Sequence, residues 1–358
     1  MTQKEVASAL FRRQPAERYG IYEHFWPETI RDNWVNQGYP RDVSPEDHFG
    51  YDIQNVGGWF DTAIWPGRWE VVEETGETQL IRDGRGSLLR YWKKKSGTPE
   101  HVGFEVTTPE AWGKVRDRLL GTDRARLNIE ETKKSLEWGR KTGRMVVFGN
   151  LFVFELMRGT IGDENFLPAL LEEPDWVRDF CQVYLDFFKR HYAIMFDSAG
   201  LPDAMFVYED LGYRNGPFCS PATMKALVLP YHKALVDFFK SYGLPVLLHS
   251  CGDIRKAIPM ILEAGWDVLQ PLEAKAGVNV VELARQIGDR IAFMGNIDVT
   301  VLNKNDKNLI KAEVEGKVRE LKKLKASYFF HSDHSVPPDV SYESYKYALE
   351  VFRANARL

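Results

Sequence analysis

From about residue 140 the chain alternates between two patterns. Short apolar or β-branched runs recur at 145-MVVFG-149, 204-AMFVY-208, 244-LPVLLH-249, 267-DVLQP-271, 290-RIAFMG-295 and 327-SYFFH-331. Between them lie longer stretches with helical periodicity, such as 172–200 and 220–243. The second opens with Ser220 at an N-cap position and Pro221 at the first helical position, and it stops before Gly243. Near-continuous apolar strands alternating with helices predict a parallel sheet covered by helices. Two further runs upstream, 19–25 and 52–56, bring the strand count to eight and predict a (β/α)8 barrel, a TIM barrel, spanning 1–358 as a single domain. Two elaborations are expected. One is an amphipathic N-terminal helix within 1–16, with Val6, Leu10 and Phe11 on its apolar side. The other is an insertion over 68–107, whose Thr-Gly and Asp-Gly turn signals between alternating runs predict an antiparallel β-meander near 68–95.

Composition narrows the class. The 358 residues carry 47 basic and 51 acidic side chains, a net charge of −4, and the signs are well mixed. That argues against a nucleic-acid binder. The one basic run, Lys93 to Lys95, reads as a solvated hairpin end. The chain holds no apolar run long enough for a membrane span and no signal-peptide core. Three cysteines make a disulfide framework unlikely, so a cytoplasmic setting is expected. Of these, Cys181 reads as core and Cys219 as structural.

A barrel of this type builds its site at the C-terminal ends of its strands. The polar residues there are therefore the candidates. They include Glu23 and His24; Trp59 and Asp61; Asn150 and Glu155; Glu209 and Asp210; His249 and Cys251; Gln270 and Glu273; Asn296 and Asp298; His331, Asp333 and His334. The segment 248-LHSCGDI-254 stands out. Residues two apart on a strand point the same way, and imidazole and thiolate are both good zinc ligands. The plainer reading is a buried histidine bonded to backbone beside a small buried thiol. In 331-HSDHSVPP-338, His334 is placed to meet His249 and Cys251 across the mouth, and the loop otherwise reads as solvated. Of the neighbours Glu209 and Asp210, only one is expected to face the site, as ligand, base or ion-pair partner of Arg214. Asn296 and Asp298 read equally well as substrate contacts or helix caps. Trp59, with Trp65, suits a flat ring or simply covers the barrel mouth.

The segments LPVLLHSCGDIRKAIPMILEAGWDVLQPLE, GDRIAFMGNIDVTVL and HSVPPDVSYESY resemble the uroporphyrinogen decarboxylase superfamily over roughly 200–350. That superfamily is built on TIM barrels and includes decarboxylases and cobamide-dependent methyltransferases. The resemblance to the methyltransferase-like branch implies zinc held through His249 and Cys251, with His334 where that branch has a later cysteine. Asp333, Glu209 or Asp210 are the substitutes. The arginine-rich N-terminal signature of the decarboxylases is missing from 21-IYEHFWPETIRD-32. The reading is therefore a zinc-dependent methyltransferase moving methyl between a small methylated molecule, a methoxyaromatic or a thiol, and cobalamin. With no D-x-H-x-x-G signature in the chain, the cobalamin is expected on a separate corrinoid protein. Catalytic roles fall to Glu209, Asp210, Asp61 and Asn296, and substrate contacts to His24, Trp59, Tyr213, Gln270, Asp298 and His331. The alternatives are a metal-independent lyase using Asp61 and His334, and a non-catalytic binder of a small cyclic ligand.

Overall fold

The structure, a computed structural model, describes residues 1–94 and 97–358. In chain order the strands are β1 (Gly20–Ile21), β2 (Ile53–Asn55), β3 (Trp69–Glu74), β4 (Thr78–Asp83), β5 (Ser87–Trp92), β6 (Glu100–Phe104), β7 (Met145–Leu151), β8 (Ala204–Tyr208), β9 (Gly212–Tyr213), β10 (Gly216–Pro217), β11 (Val246–Ser250), β12 (Val268–Pro271), β13 (Ala292–Met294) and β14 (Tyr328–Phe330). Eight of them form one parallel sheet in the order β1-β14-β13-β12-β11-β8-β7-β2. Each apolar run in the second half of the chain lies in this ladder, where strands covered on both faces need no alternation.

The two upstream runs are shorter than their sequence patterns. β1 has two residues rather than seven, and β1 and β2 do not form a ladder. The seam between them closes around Asp52. Its backbone N–H donates to the Ile21 carbonyl at 2.9 Å, and its carboxylate accepts from the Ile21 N–H at 2.8 Å. The result is a nearly closed barrel.

The N-terminal helix, Gln3–Phe11, starts from a capping box between Thr2 and Glu5. Val6, Leu10 and Phe11 are buried as the periodicity predicts, and the Phe11 ring meets Phe329 edge-on at 5.6 Å. Burying three such side chains is worth about 5 kcal/mol.

The insertion has four antiparallel strands, β3-β4-β5-β6; its meander runs one strand beyond 68–95 and ends within the expected 68–107. Asp83 fixes its central turn by accepting from the N–H groups of Arg85 and Ser87. Ile81 and Leu89 bury its inner face, and the Ser87 hydroxyl donates to the Gly159 carbonyl. The insertion thereby packs on helix Val153–Ile161, which follows β7 at the mouth of the barrel. Lys93 and Lys94 are exposed as expected, and Lys95 lies outside the described residues. No helix among the described residues is long and apolar enough to cross a membrane.

Candidate metal centre

Register places the site. In the parallel ladders His249 on β11 stands opposite Tyr208 on β8 and Gln270 on β12. The three side chains form one layer. Just beyond it, Asp210, His249 and Cys251 offer ligand atoms that all lie within 4.8 Å of one another. His249 Nε2 is 3.5 Å from Cys251 Sγ and 3.5 Å from Asp210 Oδ1. Oxygen, nitrogen and sulfur donors converging from two adjacent strand ends suit zinc with an open fourth position. Asp210 also accepts the Cys251 N–H at 2.7 Å, which ties the two strand ends together. Burial, reinforced by the Asp210 and Glu273 carboxylates, pushes the Cys251 thiol well above its usual range.

The backbones here are nearly in contact. A Cβ on Gly252 would fall 2.4 Å from the Gly212 carbonyl carbon, and one on Gly212 would fall 2.5 Å from the Cys251 oxygen. Gly252 also has φ +78°, in the left-handed region.

A hydrogen-bond chain sets the tautomer of His249. His331 Nδ1 lies 2.6 Å from the Ser332 carbonyl, which can only accept, so Nδ1 carries the proton and Nε2 keeps a lone pair. Gln270 Nε2 donates to that nitrogen at 3.1 Å, and His24 Nδ1 donates to it at 3.0 Å. The Gln270 amide then presents Oε1 to His249 Nδ1 at 2.5 Å, which must donate. His249 Nε2 is left with a free lone pair facing Asp210 and Cys251, the outer-shell arrangement that metal-binding histidines use. His24 Nε2 accepts from Tyr208 and Tyr22 at 3.3 Å. Burial holds His24 well below the usual histidine range and His331 at about 3, so both rings are neutral.

Two cavities flank the centre and share Asp210. One, of about 280 Å³, is lined by Trp59, Leu151, Glu155, Tyr208, Glu209, Asp210 and His249. Trp59 stacks on Tyr208 at 5.7 Å. Glu155 pairs with Arg158 at 2.9 Å, yet burial raises its carboxyl to about 7. The other cavity, of about 500 Å³, holds Cys251 with Arg158, Tyr213, Glu273 and Lys275.

Several expected residues serve elsewhere. His334 is outside the three-ligand group; its ring stacks on Trp26 at 6.0 Å, and Asp210 stands in the place proposed for it. Glu209 also lines the first cavity, but its side chain is fully buried and its carboxylate is engaged by the protein. It accepts from the N–H groups of Phe154 and Glu155 and from His232 Nε2. Asp61 accepts from the N–H groups of Ala63 and Gly67, which holds its loop rather than a substrate. Asn296 donates to the carbonyls of Leu272 and Val278 and accepts from Val280 N–H. Asp298 caps helix Val299–Leu302. Asp333 accepts from the N–H groups of Val299 and Ala274. His331 and Gln270 are buried links in the chain above rather than open surfaces. Tyr213 is 64% exposed at the rim. The sequence reasoning passed over Tyr208 and gave Glu155 no role. Glu155, one of the expected strand-end residues, lies in the first turn of helix Val153–Ile161.

The sequence signature described as Uroporphyrinogen decarboxylase (URO-D) matches residues 129–354. The chain belongs to the uroporphyrinogen decarboxylase family. The signature covers β7 through β14, including all three candidate ligands, and leaves the meander outside. Among solved structures the family member is similar to a methyltransferase from Methanosarcina mazei, with TM-score 0.70 and 13% identity over 99% of each chain. It also matches a β-glycosidase from Thermosphaera aggregans, with TM-score 0.47 and 10% identity over 96% of this chain and 97% of that one. At these identities the likeness is one of fold. No curated protein matches the sequence.

Proposed function

We propose that this protein is a zinc-dependent methyltransferase that moves a methyl group between a small methylated molecule or thiol and cobalamin on a separate corrinoid protein. The observation that carries the reading is the convergence of Asp210, His249 and Cys251 beside a cavity at the barrel mouth. The structural likeness to the Methanosarcina mazei methyltransferase supports it. Zinc held by these three residues would supply Lewis acidity, to lower the pKa of a substrate thiol or to polarise a methoxy oxygen.

The chain's own residues do the rest. Gln270 keeps the His249 lone pair directed at the centre. Trp59 and Tyr208 offer stacked aromatic faces, which favour a flat methoxyaromatic substrate. Glu155, with its carboxyl near 7, is positioned in the same cavity to give a proton to a leaving oxygen at neutral pH. The metal-free lyase alternative is weakened because both oxygens of Asp61 are occupied by backbone N–H groups.

Protein purified without added metal should contain one zinc per chain, and His249→Ala and Cys251→Ala should lose it. Methyl transfer to cob(I)alamin from a panel of methoxyaromatics should accompany the metal. A folded wild-type protein that takes up no zinc would sink the reading.

A further inference from the structure

The opposite end of the barrel holds a different kind of cavity. Its volume is about 470 Å³, and its lining includes Glu17, Arg18, Gly50, Phe352, Arg353 and Arg357. Arg18 precedes β1, and Arg353 lies in the last turn of helix Tyr342–Asn355. The cavity therefore lies at the N-terminal ends of the strands, while the candidate metal centre is at their C-terminal ends.

The charges here are not balanced within the protein. Asp52 takes the Arg18 guanidinium through two hydrogen bonds, at 2.9 and 2.6 Å. Glu17 takes the N-terminal ammonium at 2.7 Å. Each acid also lies within electrostatic reach of a second guanidinium, Glu17 of Arg357 and Asp52 of Arg353. Arg353 donates one N–H to the Phe49 carbonyl and has no ion pair among the described residues. Arg357 sits beyond the helix end, where an antiparallel bridge to Arg18 fixes its backbone. Its guanidinium has no hydrogen bond or ion pair among the described residues. Arg353 also offsets the helix dipole from its position in the last turn, a structural role that accounts for it in part. Arg357 has no such role. Arg18, Arg353 and Arg357 bring three guanidinium groups to one concavity whose carboxylates are two, Glu17 and Asp52, so its surface is net positive and favours an anion. Planar guanidinium forks match phosphate and carboxylate oxygens in pairs.

We propose that this cavity binds the oxyanion group, a phosphate or a carboxylate, of a small molecule between Arg353 and Arg357. The site is separate from the metal centre and does not depend on the proposed transfer activity.

Calorimetric titration of the full chain at constant ionic strength, with inorganic phosphate and with acetate as probes, tests it. Saturable binding of at least one probe is expected. Phosphate alone assigns the group as a phosphate, and acetate alone assigns it as a carboxylate. Arg357→Gln, which removes no internal bond, should weaken that binding roughly tenfold or more, as loss of a charged hydrogen-bond donor does. Cys251→Ala should bind as the wild type does. The proposal is overturned if neither probe saturates, or if Arg357→Gln binds as tightly as the wild type. Loss of binding in Cys251→Ala would also overturn it, because the anion would then belong to the cavity beside Lys275.

Discussion

Two stretches of the barrel mouth carry similar residues to different ends. At the ends of β8 and β11, Asp210, His249 and Cys251 turn ligand atoms toward one another and toward cavities. At the end of β13, Asn296 and Asp298 present equally polar side chains, and the backbone takes them. Asn296 satisfies one N–H and two carbonyls, and Asp298 caps a helix. A polar residue at a strand end is therefore available for chemistry only when nearby backbone groups leave part of it unclaimed, as the single Cys251 N–H does at Asp210. The neighbours Glu209 and Asp210 make the point within a single peptide unit. The first is claimed by a helix N-terminus, and the second joins His249 and Cys251.

The contrast can be broken or sharpened experimentally. The largest effect is expected at Asn296. Replacing it with Ala leaves three buried backbone groups without partners and should cost about 4 kcal/mol in urea unfolding, while zinc stoichiometry of the folded fraction stays unchanged. A metal defect without a stability defect would reverse the assignment. Next comes Gln270→Leu, which removes the acceptor that fixes His249. Zinc affinity should fall about 10- to 100-fold in a competition titration with a chelator. An affinity equal to wild type would remove Gln270 from the centre.

Glu155 gives a smaller, pH-dependent effect. Its carboxyl is raised from 4.5 to about 7 by burial, so the folded state prefers the neutral form. That preference contributes fully below the unfolded value and is lost as pH rises through about 7. Because the side chain is partly exposed, Glu155→Gln should gain only about 1 kcal/mol over wild type at pH 8 and nothing at pH 4. Equal stability at both pH values would place Glu155 among the claimed carboxylates, beside Glu209. The smallest effect is expected at Asp298, where Ala should cost about 1 kcal/mol as a lost helix cap and leave zinc binding intact.

Much of the architecture was readable from the sequence because β7, β8, β11, β12, β13 and β14 are covered on both faces and appear as plain apolar runs. β1 was overextended because its polar continuation, Glu23 and His24, belongs to the mouth and not to a ladder. The site was only half readable. His249 and Cys251 share a strand, so their spacing predicts convergence. Asp210 comes from the neighbouring strand, and only the register and the turn after Tyr208 decide that it, rather than Glu209, joins them. The role of Gln270 depends on the proton position of a histidine 61 residues away, a relation that no spacing encodes. His334 lies against Trp26 and outside the three-ligand group.

The near contact between the backbones at Gly212 and Gly252 has a consequence for how the centre can vary. The side chains of His249 and Cys251 project from this crossing, whereas that of Asp210 also ties it through the Cys251 N–H. The two glycines cannot be exchanged, because any side chain at either position forces the loops apart. A genetic screen for lost metal uptake should therefore recover Gly212 and Gly252 alongside the ligands, although neither offers a side-chain atom to the ion.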